Sequence, residues 1–176
     1  LGLFGFGKIG RAVARRARGF GMRVLAVDTH ADEQQAAELG VIITDAKTLL
    51  RESDVISNHM NLTAENWHFF DDAGFAAMEK HPIFLNVSRG GSVDEAALVR
   101  ALDNGLIRAA GLDVLEAEKP DLEKCALIGR ENAILTPHAA FYSARSIEAL
   151  QRMSCHNLTD CLTGNRAHAF KIVNGV

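Results

Sequence analysis

Three side chains in this sequence have the types and settings that proton and carboxylate chemistry requires: Arg89, Glu118 and His138. Arg89 stands in Asn86-Val87-Ser88-Arg89-Gly90-Gly91. Its small neighbours leave the guanidinium room to grip a carboxylate with two parallel hydrogen bonds, a geometry lysine lacks. His138 stands in Thr136-Pro137-His138, and an imidazole with an ordinary pKa of ~6.5 suits proton exchange near neutrality. Glu118, in Asp113-Val114-Leu115-Glu116-Ala117-Glu118-Lys119-Pro120, is a candidate partner, because a carboxylate beside imidazole fixes its tautomer and favours its charged form. Each has a plainer reading, as a surface arginine or a structural histidine. Sequence alone does not bring Glu118 to His138.

A second set of residues points to a ligand. Gly5, Gly7 and Gly10 form G-x-G-x-x-G directly after the apolar run Leu1–Phe4 and at the start of a helical stretch. In such a motif the first glycine makes the tight turn, the second admits a pyrophosphate, and the third lets helix pack on strand. The helix N-terminus then offers free N–H groups to the phosphates. Asp28 follows Gly10 by 18 residues, near the ~20 expected of the acid that binds the adenosine ribose hydroxyls. An acid there repels a 2′-phosphate, so NAD is favoured over NADP; the plainer reading of Asp28 is a strand-end turn. A nicotinamide makes hydride transfer the natural chemistry.

The elements that must position these residues alternate between strand and helix. The pattern predicts a helix over Lys8–Phe20 with an apolar stripe of Ile9, Val13, Ala17 and Phe20. Strands are expected at Met22–Val27, Val41–Thr44, Asp54–His59, Ile83–Val87, Arg108–Leu112 and Asn132–Leu135. Helices are expected at Asp32–Leu39, at Ala46–Arg51 behind an Asp45 cap, and ending over Phe75–Glu79. Two more run from a Ser92 or Asp94 cap to Asn104, and from Ser143 to about Leu162. This alternation predicts an α/β fold, a doubly wound parallel sheet of Rossmann type with helices on both faces. Every candidate residue then falls at or just beyond the carboxyl end of a strand. The domain reading is a dinucleotide-binding domain over 1–149 and a C-terminal helix and tail over 150–176.

Composition narrows the partners. A net charge of −3 across 176 residues gives no basic field for nucleic acid or an anionic membrane. No apolar run reaches the ~18 residues of a membrane span. The three cysteines, Cys125, Cys155 and Cys161, form no C-x-x-C pair or metal-ligand cluster, so no metal is expected. They read as free thiols of a reducing, cytoplasmic compartment. The sequence starts at Leu1, without an initiator methionine, and is expected to begin inside a longer polypeptide.

Taken together, the glycine motif, Asp28, Ser53–His59, Asn86–Glu95, Gly111–Pro120 and Thr136-Pro137-His138, in this order, resemble the cofactor-binding part of the D-isomer-specific 2-hydroxyacid dehydrogenases. The resemblance spans essentially the whole chain. It implies that Arg89 binds the substrate carboxylate and carbonyl, that His138 is the proton donor or acceptor, and that Glu118, not Glu116, partners it. It implies an NAD site over Gly5, Phe6, Gly7, Lys8, Ile9, Gly10, Asp28, His59, Val87, Ser88, Arg89, Asp113, His138 and Ala140. His59 on this view shapes the cofactor loop and is not the base. The implied substrate is a 2-hydroxy or 2-oxo acid, and the implied assembly a homodimer through the cofactor domain. Formate dehydrogenases of the same superfamily usually carry glutamine where Glu118 stands, which counts against that activity. Asn61, in place of a common proline, and Glu79-Lys80-His81, in place of lysine-proline-glycine, depart from the family pattern and are expected to alter loop shape.

Two alternatives stay open. Aromatics after the histidine, here Phe141 and Tyr142, also occur in the C-terminal-binding-protein corepressors, which act through NAD-linked dimerisation and partner peptides. The other alternative is an excised NAD-binding domain without turnover, because the family's substrate domain comes mainly from residues before the glycine motif. In that family the last helix returns to pack on the substrate domain. Trp67-His68-Phe69-Phe70 reads as packing beneath a loop, and Arg15, Arg16 and Arg18 as a solvated helix face.

Overall fold

Short strands buried on both faces dictate the architecture. A computed structural model describes residues 1–165. In β1 (Gly2–Phe4) every residue is buried, with Leu3 in one apolar cluster and Phe4 in another. The next strand, β2 (Val24–Val27), repeats this: Val24 and Ala26 join the cluster of Leu3, and Leu25 joins that of Phe4. Alternate side chains point to opposite faces, so both faces need a covering of helices. The remaining strands are β3 (Val41–Ile43), β4 (Val55–Asn58), β5 (Ile83–Asn86), β6 (Ala109–Leu112) and β7 (Ala133–Leu135). They form one seven-stranded sheet in the order β3-β2-β1-β4-β5-β6-β7, parallel at every pairing. This is the doubly wound parallel sheet expected from the alternation.

The helices are α1 (Lys8–Gly19), α2 (Glu33–Glu38), α3 (Ala46–Glu52), α4 (Asp72–Ala76), α5 (Glu95–Asp103) and α6 (Ala144–Leu162). Aspartates start four of them: Asp32, Asp45, Asp71 and Asp94 each accept a hydrogen bond from the backbone N–H three residues on. Each thereby satisfies one of the donors a helix N-terminus leaves open. Ala14 and Ala17 of α1 and Ala36 of α2 pack into the cluster of Leu3. Leu49 and Leu50 of α3, Phe75 of α4, and Leu98, Ala101 and Leu102 of α5 pack into the other.

Two expectations are corrected. The buried stripe of α1 is Gly10, Ala14 and Ala17, while Ile9 is 66% and Phe20 88% exposed. Ala17 and, partly, Val13 of the expected stripe do pack against the core, and small residues make the rest of the contact. The helix expected to end over Phe75–Glu79 is α4, Asp72–Ala76, started by its Asp71 cap and closed at Ala77. Last, only half of Trp67-His68-Phe69-Phe70 is core: Phe70 is fully buried, whereas Trp67 is 52% exposed. Arg15, Arg16 and Arg18 are exposed on α1 as expected.

Residues Leu1–His138 form one compact unit, and the chain from Ala139 onward a second; the sequence reading set that change at 149/150. Within the second unit, Ser143 caps α6 in a reciprocal capping box with Ser146, and no residue of α6 is buried. The C-terminal tail expected to follow, 166–176, lies outside the described residues.

Candidate active site

Because all strands run the same way, their carboxyl ends share one edge of the sheet. There β1 delivers Gly5, β2 Asp28, β4 His59, β5 Val87–Arg89, β6 Asp113 and β7 Thr136–His138. Chain order reverses across the β1–β4 pair, the switch point at which doubly wound sheets bind ligands.

The glycine turn is shaped as a cradle. Gly5 adopts a φ of +92°, and a Cβ there would stand 2.7 Å from the His59 carbonyl. A Cβ at Gly10 would overlap the Gly5 carbonyl oxygen, so α1 seats on the turn only with glycine. Nothing stands within 4 Å of the Cβ position at Gly7. Gly7 caps α1 without a side-chain hydrogen bond, and no acid sits in the first turn. The open space therefore faces the positive end of a helix dipole, which suits a pyrophosphate. Ile9, displaced from the core, projects beside this N-terminus.

Asp28 is held for a second contact. Its Oδ2 accepts the Phe6 N–H at 2.7 Å and its Oδ1 the His30 N–H at 2.8 Å. An ionised carboxylate has about four lone-pair sites, so two bonds leave capacity for ribose hydroxyls. His59 sits behind the turn, with Nε2 2.9 Å from Ser57 Oγ and a buried Nδ1 that has no hydrogen-bond partner. Burial pushes its pKa below the ordinary imidazole value.

Arg89 rests on a buried polar network that the sequence reading missed. The Asn58 side-chain amide donates to Asn86 Oδ1 at 3.1 Å and to Ser92 Oγ at 2.8 Å. The Asn86 amide and the Ser92 hydroxyl both donate to the Arg89 carbonyl, at 3.0 and 2.8 Å. All three side chains are buried, and buried polar groups fix a loop only when satisfied in this way. The signal was present: asparagine ends both β4 and β5, and the two are register partners. The Arg89 guanidinium itself is exposed, with Nη1 donating to the Ser88 carbonyl at 2.9 Å. Ser88 ties this loop to the next by donating to the Met60 carbonyl.

Glu118 and His138 do meet: Oε2 stands 3.9 Å from Nδ1, with both side chains substantially exposed. His138 has a φ of +51°, a left-handed conformation that costs of order 1–3 kcal/mol in a non-glycine residue and clusters at functional sites. Asp113, buried at the end of β6, accepts a 2.5 Å hydrogen bond from Thr136 Oγ1, which anchors the Thr136-Pro137-His138 turn. Glu118, His138 and Asp113 border a cavity of ≈ 610 Å³, whose other walls include Val114, Leu127 and Leu135. Ala140 belongs to the second unit. Among the described residues, no group of histidine, cysteine, aspartate or glutamate is placed to hold a metal ion, and no helix is long and apolar enough to cross a membrane. All three cysteines are free.

Residues 1–140 match the family model for the D-isomer specific 2-hydroxyacid dehydrogenase, NAD binding domain. Glyoxylate reductase of Korarchaeum cryptofilum is 44% identical over 158 residues, covering 90% of this chain and 47% of its own length. Hydroxypyruvate reductase of Thermotoga maritima is 41% identical over 154 residues, covering 87% of this chain and 48% of its own. The D-lactate dehydrogenase of Lactobacillus jensenii, solved with NAD+, superposes with a TM-score of 0.88 at 33% identity, over 98% of this chain and 55% of that one. The chain thus spans about half the length of these relatives. With the glycine cradle, Asp28 and the sheet order in agreement, the chain belongs to the D-isomer-specific 2-hydroxyacid dehydrogenases and carries their NAD-binding domain.

Proposed function

We propose that this protein oxidises a D-2-hydroxy acid, or reduces the matching 2-oxo acid, with Arg89, Glu118 and His138 as its working side chains. The observation that carries this reading is the Glu118–His138 contact at the sheet edge that also bears the glycine cradle. NAD, when bound, supplies the hydride acceptor. With Nδ1 turned to Glu118, the His138 Nε2 takes the 2-hydroxyl proton as hydride leaves C2; in reduction it returns that proton. Glu118 holds the tautomer and stabilises the imidazolium that forms. Arg89 grips the substrate carboxylate and polarises the C2 oxygen. Gly5, Phe6, Gly7, Lys8, Ile9 and Gly10 seat the pyrophosphate, Asp28 the ribose, and His59, Val87, Ser88 and Asp113 the remainder of the cofactor. A homodimer through this domain and a reducing, cytoplasmic setting accompany the reading.

The names of the relatives put glyoxylate, hydroxypyruvate and D-lactate first in a substrate panel, followed spectrophotometrically through NADH. His138→Ala is expected to lower kcat by ~10²–10⁴, the usual contribution of a general acid–base group, with NADH affinity retained. Turnover undiminished by that substitution would refute the assigned role.

A further inference from the structure

His68 stands outside every role assigned above, yet it touches both loops that carry the proposed chemistry. Its backbone N–H donates to the Gly91 carbonyl at 2.8 Å, two residues beyond Arg89. Its imidazole Nε2 lies 3.2 Å from Oε2 of Glu116, two residues before Glu118. The nitrogen is shielded from water, and the contact lies off the line of a hydrogen bond, so it is a charge pairing when the ring is protonated.

The surroundings hold this residue in place from several sides. The Phe70 N–H donates to the Ser92 carbonyl at 3.0 Å, and the Asp94 N–H to the Phe70 carbonyl at 3.1 Å. Phe70 itself is locked edge-on between Phe4 and Phe84, at centroid distances of 5.0 and 4.8 Å. Trp67 stacks on the imidazole at 4.9 Å and 23°, and covers Gly91 so closely that a Cβ there would overlap the indole. On the far side, the Glu116 N–H is bound by the Glu95 carboxylate, and the Leu115 carbonyl lies where a Cβ of Gly90 would be. His68 has a φ of +51°, which persists only where neighbours over-determine it.

We propose that His68 is a positioning residue for the dehydrogenase reaction: it clasps the Arg89 loop to the Glu118 segment through Gly91 and Glu116, and so fixes the substrate-binding cation relative to the carboxylate that partners His138. The inference rests on the reaction proposed above. It differs from a purely structural role in what it spares, because the partners of His68 are Gly91, Glu116 and Trp67, while Asp28 is held by the N–H groups of Phe6 and His30.

His68→Asn tests it, since asparagine tolerates a left-handed backbone but is too short to reach Glu116. With the favoured 2-oxo acid, the variant is expected to lose roughly tenfold in kcat/KM through both a lower kcat and a higher KM, as sub-ångström misplacement of reacting groups does. NADH affinity should fall less than kcat/KM, because Gly5, Gly7, Gly10 and Asp28 lie outside the clasp, whereas Val87 and Ser88 share the Arg89 loop that it holds. His68→Lys, which keeps a cation that can reach Glu116, should recover most of the loss. The double variant H68N/E116Q should be no worse than the poorer single variant, because contacting residues couple. Parental kcat/KM in His68→Asn, a parallel loss of NADH binding, or additive losses in the double variant would each overturn the clasp. Should the parent turn over none of the 2-oxo acids, the proposed reaction fails separately. Trp67, the only tryptophan of the 176 residues, then still decides the contact: a changed emission in Glu116→Gln sustains it, and an unchanged one defeats it.

Discussion

At the scale of single residues, the site is built from side chains whose free valences are rationed. Asp28 spends two acceptor positions on the N–H groups of Phe6 and His30, so the carboxylate is already oriented before any ribose arrives. Hydrogen bonds to charged groups contribute about 1.5–3 kcal/mol. Asp28→Ala is therefore expected to weaken NADH binding by roughly 10- to 100-fold and to narrow the preference for NADH over NADPH. Fluorescence titration with each nucleotide checks this; an unchanged ratio of the two affinities would mean that Asp28 does not face the ribose. The legibility of such residues follows from their setting. Gly5, Gly7, Gly10 and Asp28 announce themselves because a ligand-bearing turn needs those residue types at that spacing. Asn58, Asn86 and Ser92 do not, because asparagine and serine are common at strand ends. Their meaning comes from meeting one another across β4 and β5 and beneath the Arg89 carbonyl.

At the scale of elements, local chemistry wrote most of the boundaries. The aspartate caps of α3 and α5, Asp45 and Asp94, lie where the sequence reading allowed them. The cap of α5 has a second consequence, since Asp94 follows directly on the loop that presents Arg89. Removing an aspartate N-cap costs of order 1 kcal/mol. Asp94→Ala should lower the stability measured by urea unfolding by about that amount, with the slope of the transition unchanged. A loss of several kcal/mol, or a change in slope, would mean that Asp94 holds more than the first turn of α5. What the sequence reading missed at this scale was part of the face of α1 that lies down. Hydrophobicity favoured Ile9 and Phe20; the buried residues are Gly10, Ala14 and the expected Ala17. Apolar character says that a side chain gains by burial, but not that there is room for it.

At the scale of the whole molecule, buried titratable groups couple stability to pH. His59 is the clearest case, because burial lowers its pKa from the ordinary 6.5. The unfolded chain then takes up this proton at a higher pH than the native one does. Stability attributable to the neutral ring is thus complete above about 6.5 and declines as pH falls from there through the lowered native pKa. Thermal unfolding followed between pH 8 and pH 5 should show a decline that is shallower in His59→Gln than in the parent. The other six of the seven histidines are common to both proteins, so the difference isolates His59. Equal slopes would show that the ring is not desolvated.

The sequence by itself determined the parallel sheet, the glycine turn, the acid that follows it, and the identity of Arg89, Glu118 and His138 as candidates. These depend on short-range rules: the period of apolar residues, the backbone freedom of glycine, and the residue types a given chemistry needs. Only the tertiary structure decided who meets whom. It set Glu118 3.9 Å from His138, placed the Asn58–Asn86–Ser92 network under Arg89, and turned His68 from presumed packing into a bridge between two loops. Those contacts join residues up to 48 positions apart, as His68 and Glu116 are. Separations of that size close only when the sheet assembles, and no local pattern encodes them.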